Sequence, residues 1–204
     1  MLVASYNNNA FEDLLVIQLK NTSVEMQKFE RKEDITRIID KENNETVGFN
    51  FFEVSNYLEI EKSGPVYLSE SDVSKLNKAL EAVDFEGELV ADTGPKFVVG
   101  YVRECEPMED SDHLFITQTE VDNGEVLQIV CGADNVAAGQ KVVVAKPGAI
   151  MPDGMVIWPG ELRGTKSVGM ISSAKELELD VAKEKQQGIL VLDEELETGS
   201  AFEI

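Results

Sequence analysis

The second half of the chain is cut into short apolar runs by turn-forming residues, and that punctuation constrains the fold more than any other feature. Pro147-Gly148, Pro152-Asp153-Gly154 and Pro159-Gly160 stand so close together that any strands among them must be short. Residues 97–104 (FVVGYVRE) suit a strand interrupted by Gly100, where a bulge or tight bend is expected. Residues 113–121 alternate, with Leu114, Ile116 and Gln118 on one face and Phe115, Thr117 and Thr119 on the other. Residues 127–131 and 141–145 form two more short strands, joined by a loop that holds Asn135 and Gly139. Residues 174–179 fit one turn of helix, and 188–192 (GILVL) a last apolar strand. Short strands separated by frequent turns predict a small barrel or sandwich.

The first half has a different texture. Residues 14–19 (LLVIQL) are rich in branched side chains and fit a strand, and 24–30 alternate apolar with polar after a slip. Residues 35–40 and 46–54 flank a polar cluster, Lys41 to Glu45, and predict a hairpin whose Phe49, Phe51 and Phe52 supply the core. A helix is expected over 69–83. Ser69 can cap it, Glu70 and Asp72 suit its positive end, and Val73, Leu76, Leu80 and Val83 recur at helical spacing. Asp92-Thr93-Gly94-Pro95 is a linker or turn, so the expected division is a small acidic α+β domain over 1–92 and a β domain over 93–204.

Charge narrows the partners. The chain carries a net charge of −21, which repels nucleic acid at long range, since phosphate binding is mainly charge neutralisation. Between Val126 and Lys175, however, five basic residues face three acidic ones. A window kept neutral to basic inside a polyanion implies that something negative must approach it.

Within that window, Arg163 and Lys166 flank Gly164, with Ser172 and Ser173 behind them. In a loop leading into a strand, both cations can reach phosphates and the hydroxyls can donate to them. Lys146, beside Pro147-Gly148, is the next candidate; Lys141 and Arg103 are supporting ones, and Asn135 can orient an RNA backbone. Aromatic side chains suited to base stacking are scarce, which favours gripping folded RNA by its backbone and shape.

Several classes are disfavoured. A lone histidine, His113, makes zinc chemistry and histidine-based nucleophilic catalysis hard to assemble. No phosphate-binding loop, dinucleotide fingerprint or nucleophile elbow occurs, and the carboxylates Glu109, Asp110 and Asp112 fit a solvated loop. Neither an enzyme nor a cofactor is expected. Cys105 and Cys131 lack metal-site spacing and suit buried thiols in a reducing cytosol. No apolar run approaches the length of a membrane span, and the first residues do not read as a secretion signal, so a cytoplasmic address is expected.

Several linked stretches resemble one family. These are Ile129-Val130-Cys131-Gly132-Ala133, Asn135-Val136, Gly139-Gln140-Lys141, Gly148-Ala149, Leu162-Arg163-Gly164, and Ser167 through Gly169-Met170 to Ser172. Together with the opening Val98 to Val102 and the closing Gly188 to Asp193, they resemble the tRNA-binding domain near the N-terminus of bacterial phenylalanyl-tRNA synthetase β subunits. The same module occurs in free-standing dimeric tRNA-binding proteins, and the whole chain looks like the YtpR-type tRNA-binding proteins. The resemblance implies a five-stranded OB barrel over 97–204 that binds tRNA or tRNA-like structured RNA, and it is compatible with a homodimer. It also implies an alternative, a protein-interaction or chaperone-like role that some relatives of the same fold have. Where the family carries a lysine before the second strand, this chain has His113 behind Met108-Glu109-Asp110-Ser111-Asp112, which predicts a weaker phosphate contact there.

Overall fold

The computed structural model describes residues 1–109, 111–181 and 187–204, and divides the chain into two compact units, Met1–Gly94 and Pro95–Ile204. The protein is mainly β, with an α+β first unit and a nearly closed barrel of OB type in the second.

The first unit is a six-stranded antiparallel sheet of β1 (Val3–Tyr6), β2 (Leu14–Gln18), β3 (Gln27–Lys32), β4 (Ile35–Asp40), β5 (Thr46–Phe52) and β6 (Gly64–Val66). Its strand order is β3-β4-β5-β2-β1-β6. One helix, α1 (Glu70–Ala82), packs against one face of it. The side chains that meet there are Leu15, Ile17, Ile35, Phe49 and Phe51 from the sheet and Leu76 and Leu80 from the helix, all essentially inaccessible to water. Phe52, expected in this core, points to the opposite face, where its ring lies 4.3 Å from the Arg31 guanidinium. Period-2 alternation explains this, because Phe49 and Phe51 face α1 and Phe52 cannot.

Helix α1 begins where expected. Ser69 Oγ accepts from the Asp72 N–H at 3.2 Å while the Ser69 N–H donates to Asp72 Oδ2 at 3.1 Å, a reciprocal cap. The bond from the Ser69 hydroxyl, chiefly, holds the Asp72 carboxyl below its ordinary pKa. A depressed carboxylate contributes stability above its unfolded-state pKa and loses it as pH falls through the folded value. Ser69→Ala should therefore cost about 1 kcal/mol in urea unfolding at neutral pH, with a smaller difference in acid.

The second unit is built from β7 (Phe97–Pro107), β8 (Phe115–Glu120), β9 (Val126–Cys131), β10 (Lys141–Ala145), β11 (Gly160–Leu162), β12 (Thr165–Ser167), β13 (Met170–Ile171) and β14 (Val191–Leu192). The main sheet runs β13-β10-β7-β8-β9, and β14 also pairs with β10. The segment after β12 returns along β9, where the Val168 N–H donates to Gln128 O at 2.8 Å, and so brings the sheet nearly to closure. Only Val191–Leu192 of the expected 188–192 strand pairs as a strand; Ile189 and Leu190 are buried just before it.

The uninterrupted run Val142-Val143-Val144 in β10 has a simple cause. Val142 and Val144 face the barrel interior with Val98, Val102, Ile129 and Ile171, while Val143 and Ala145 face a second cluster with Met151, Ile157 and Leu177. A strand buried on both faces has no reason to alternate. Gly100 also faces inward. A Cβ there would lie 2.5 Å from Val144 Cγ2, so the glycine permits close packing, while the register shift in β7 falls between Val102 and Glu104.

Candidate functional site

The loops at the two ends of β8 divide the candidate residues into separate groups. Asp112 and His113 precede the strand and Asp122 follows it. The Phe115 end of β8 pairs with Cys131 at the end of β9, so the 132–140 loop leaves from the Asp112 side.

On that side stands the β11–β12 hairpin. Arg163 (φ +50°) and Gly164 (φ +76°) form its two-residue turn, and both take the left-handed conformation such a turn demands. Glycine adopts it freely, whereas an arginine there is strained. Arg163 and Lys166 are exposed. Arg163 lies close enough to Asp112 to lower its carboxyl pKa, although the bond from His113 (Nδ1 to Oδ1, 2.8 Å) is the larger cause. Arg163, Asp112 and His113 therefore share one neighbourhood. Asp110 lies outside the described residues.

The hairpin is anchored through its backbone. Gln128 Nε2 donates to Lys166 O at 2.8 Å, and the Val130 N–H donates to Ser167 Oγ at 3.1 Å. Lys166 is exposed, and among the described residues it has no ion-pair partner even though Glu161 sits opposite it in the ladder.

Val130 also lines a cleft of about 460 Å³. Its lining comes from Cys131 to Ala133, from Met170 and Ile171, from Gly188 and Ile189, and from Ser173, Lys175 and Glu176. Lys175 is exposed and, among the described residues, has no ion-pair partner. The cationic hairpin thus adjoins, through the Ser167–Val130 bond, a cleft of mixed polar and apolar lining to which Lys175 also contributes.

Residues 97–201 match the family described as "Putative tRNA binding domain". The chain belongs to the tRNA-binding domain family. Residues 22–92 match a second family, described as "Domain of unknown function (DUF4479)". Over 200 residues the chain is 49% identical to "Putative tRNA-binding protein YtpR" of Bacillus subtilis (strain 168), covering 98% of each chain. It is 42% identical over 160 residues to the phenylalanine–tRNA ligase β subunit of Oceanobacillus iheyensis, a match spanning 76% of this chain and 19% of that one. With the corresponding subunit of Halalkalibacterium halodurans the identity is 48% over 106 residues, 50% of this chain and 13% of the other.

Within the tRNA-binding domain three more of the predicted cations have partners of their own. Lys146, favoured for its place at a strand end, is largely buried and donates to Asp122 Oδ1 at 2.6 Å, at the far end of β8 from Arg163. Arg103 is bound to Glu120 at 2.9 Å, also toward that end. Lys141 donates to the Thr198 hydroxyl and lies over the Tyr101 ring at 5.2 Å. The four expected cations Arg163, Lys166, Lys146 and Arg103 do not form one patch.

The polar candidates are structural as well. Asn135 closes a two-way bond with Ile189, donating to its carbonyl at 3.0 Å and accepting its N–H at 2.9 Å. Ser172 is fully buried between β10 and the segment before β14, so its hydroxyl cannot reach a ligand. Ser173 caps the turn that follows. Its Oγ accepts the Glu176 N–H at 3.1 Å, and its own N–H donates to Glu176 Oε2 at 2.8 Å. The spacing Ser173-Ala174-Lys175-Glu176 is that of a capping box, a signal that could have assigned Ser173 to a cap.

Cys131 forms part of the cleft wall, and burial pushes its thiol above the ordinary pKa; burial also raises Cys105. Both are free thiols. A raised pKa means little thiolate at neutral pH, so the folded protein should react with iodoacetamide more slowly than the urea-unfolded chain. Equal rates, followed by mass spectrometry, would contradict this burial. Among the described residues, no group of three or more His, Cys, Asp or Glu could hold a metal, and no helix is long and apolar enough to cross a membrane.

Proposed function

We propose that the chain is a non-catalytic, cytoplasmic RNA-binding protein that grips tRNA, or RNA folded like it, on the barrel of its second unit. The observation that carries the reading is the β11–β12 hairpin, which holds Arg163 in a strained turn and Lys166 exposed, and whose Ser167 is bonded to Val130 of the cleft wall. Membership of the tRNA-binding domain family supplies the class of ligand.

In this reading Arg163 and Lys166 neutralise phosphates on one side of the cleft and Lys175 does so on the other. Lys146, Arg103 and Lys141 support the barrel, and Asn135 and Ser173 shape the cleft. His113 is paired with Asp112.

With about three phosphate contacts, affinity should fall roughly 10- to 50-fold between 50 and 200 mM salt. A filter-binding titration of the full chain with bulk tRNA measures the slope. Binding without salt dependence, or none at low salt, contradicts the proposal. Recovery of basic proteins that survives RNase, in place of tRNA, would favour a protein-interaction role.

A further inference from the structure

The sheet of the first unit has two edges that differ in kind. Strand β6 is three residues long with Pro65 at its centre, so it lacks a ladder donor where a neighbouring strand would need one. Strand β3 is six residues long without proline, and it pairs with β4 in unbroken register. Its four central residues are exposed, and Phe29 remains 75% accessible. An open edge with an exposed aromatic is a template for a further strand unless something covers it.

We propose that β3 docks against β3 of a second copy of this chain, antiparallel, about a two-fold axis at Phe29. The strand is self-complementary in that register. Phe29 opposes Phe29 of the second copy, Lys28 opposes Glu30 and Gln27 opposes Arg31, each contact occurring in symmetric fashion. Shifting by two residues sets Lys28 against Lys28 or Glu30 against Glu30. A shift by one puts the odd-numbered residues, which face away from α1, beside even-numbered ones that face toward it, and would place the two helices on opposite faces of the joined sheet.

Present contacts leave these side chains available. The Lys28 ammonium donates to Asn44 Oδ1 in the solvent, and Glu30 sits 3.7 Å from Lys32 with half its side chain exposed. Exposed pairs of this kind exchange partners at little cost. The strand also carries three basic residues against one acidic residue, in a chain of net charge −21. Two polyanions therefore meet there with less repulsion than across their acidic surfaces.

Sedimentation equilibrium of the RNA-free full chain, over a concentration series, should show a reversible monomer–dimer exchange. Phe29→Lys and Lys28→Glu should each weaken it by about 10-fold or more, given the usual strength of cross-strand pairs. Combining Lys28→Glu with Glu30→Lys should restore it, because the exchange rebuilds the same pairs with reversed polarity. All these positions are exposed, and unchanged circular dichroism and thermal midpoints would confirm folding. A native chain that stays monomeric overturns the proposal. So does a dimer indifferent to Phe29→Lys, or a double exchange as weak as Lys28→Glu alone.

Discussion

Arg163→Glu combined with Lys166→Glu should lower affinity for tRNA by about 100-fold or more at low salt, since two phosphate contacts become repulsions. The salt slope should fall by roughly two contacts' worth in the corresponding alanine pair. Stability should hardly change, because both side chains are exposed and the hairpin is anchored through backbone atoms and Ser167. Arg163→Gly is the sharper single test. A left-handed φ suits glycine, so this variant should be as stable as the native chain or up to about 1 kcal/mol more so, yet bind RNA more weakly. Weaker binding without weaker folding is what separates a contact from a structural part.

Asn135→Ala should show the reverse pattern. It strips both hydrogen-bond partners from Ile189, whose backbone is packed under a buried side chain, and should cost about 2–4 kcal/mol in urea unfolding. Gly188→Ala attacks the same joint from the other side. Gly188 has φ +69°, and a Cβ there would overlap Asn135 Oδ1, so strain and collision combine in a loss of about 1–3 kcal/mol. Any fall in RNA affinity should follow from a loosened cleft wall, and it should leave the salt slope unchanged. If Asn135→Ala instead kept full stability and reduced the slope, Asn135 would be a direct backbone contact, as the sequence alone suggested.

Much of the fold is legible in the chain because local signals agree with tertiary demands. Helix α1 has a cap, acidic first-turn residues and apolar side chains at helical spacing, and it forms within one residue of expectation. The strands of the barrel show themselves by alternation or by turns on either side. Strands β1 and β6 escape because each is too short to show a period and β6 contains proline. Residues 24–30 alternate apolar with polar only across a slip, and there Val24–Met26 make a helical turn while β3 starts at Gln27, between Met26 and Phe29.

The site is less legible, and the reason is range. The partners that hold Lys146 and Asn135 in place are far away in sequence. Asp122 holds Lys146 across 24 residues, and Asn135 meets Ile189 across 54. Spacing along a strand cannot reveal such partners. The context of Arg163 and Lys166 is local by contrast, a two-residue turn with its glycine between two short strands. Lys175 entered the charge balance of its window, but its position on the cleft depends on how the capped turn after β13 folds back.

The most direct test is a salt titration of tRNA binding with the full-length native chain beside Arg163→Ala/Lys166→Ala, using Lys20→Ala/Lys62→Ala as a control for general loss of charge. The account predicts that the hairpin pair lowers both affinity and salt slope while the control pair behaves as native. Identical curves for all three proteins would contradict it.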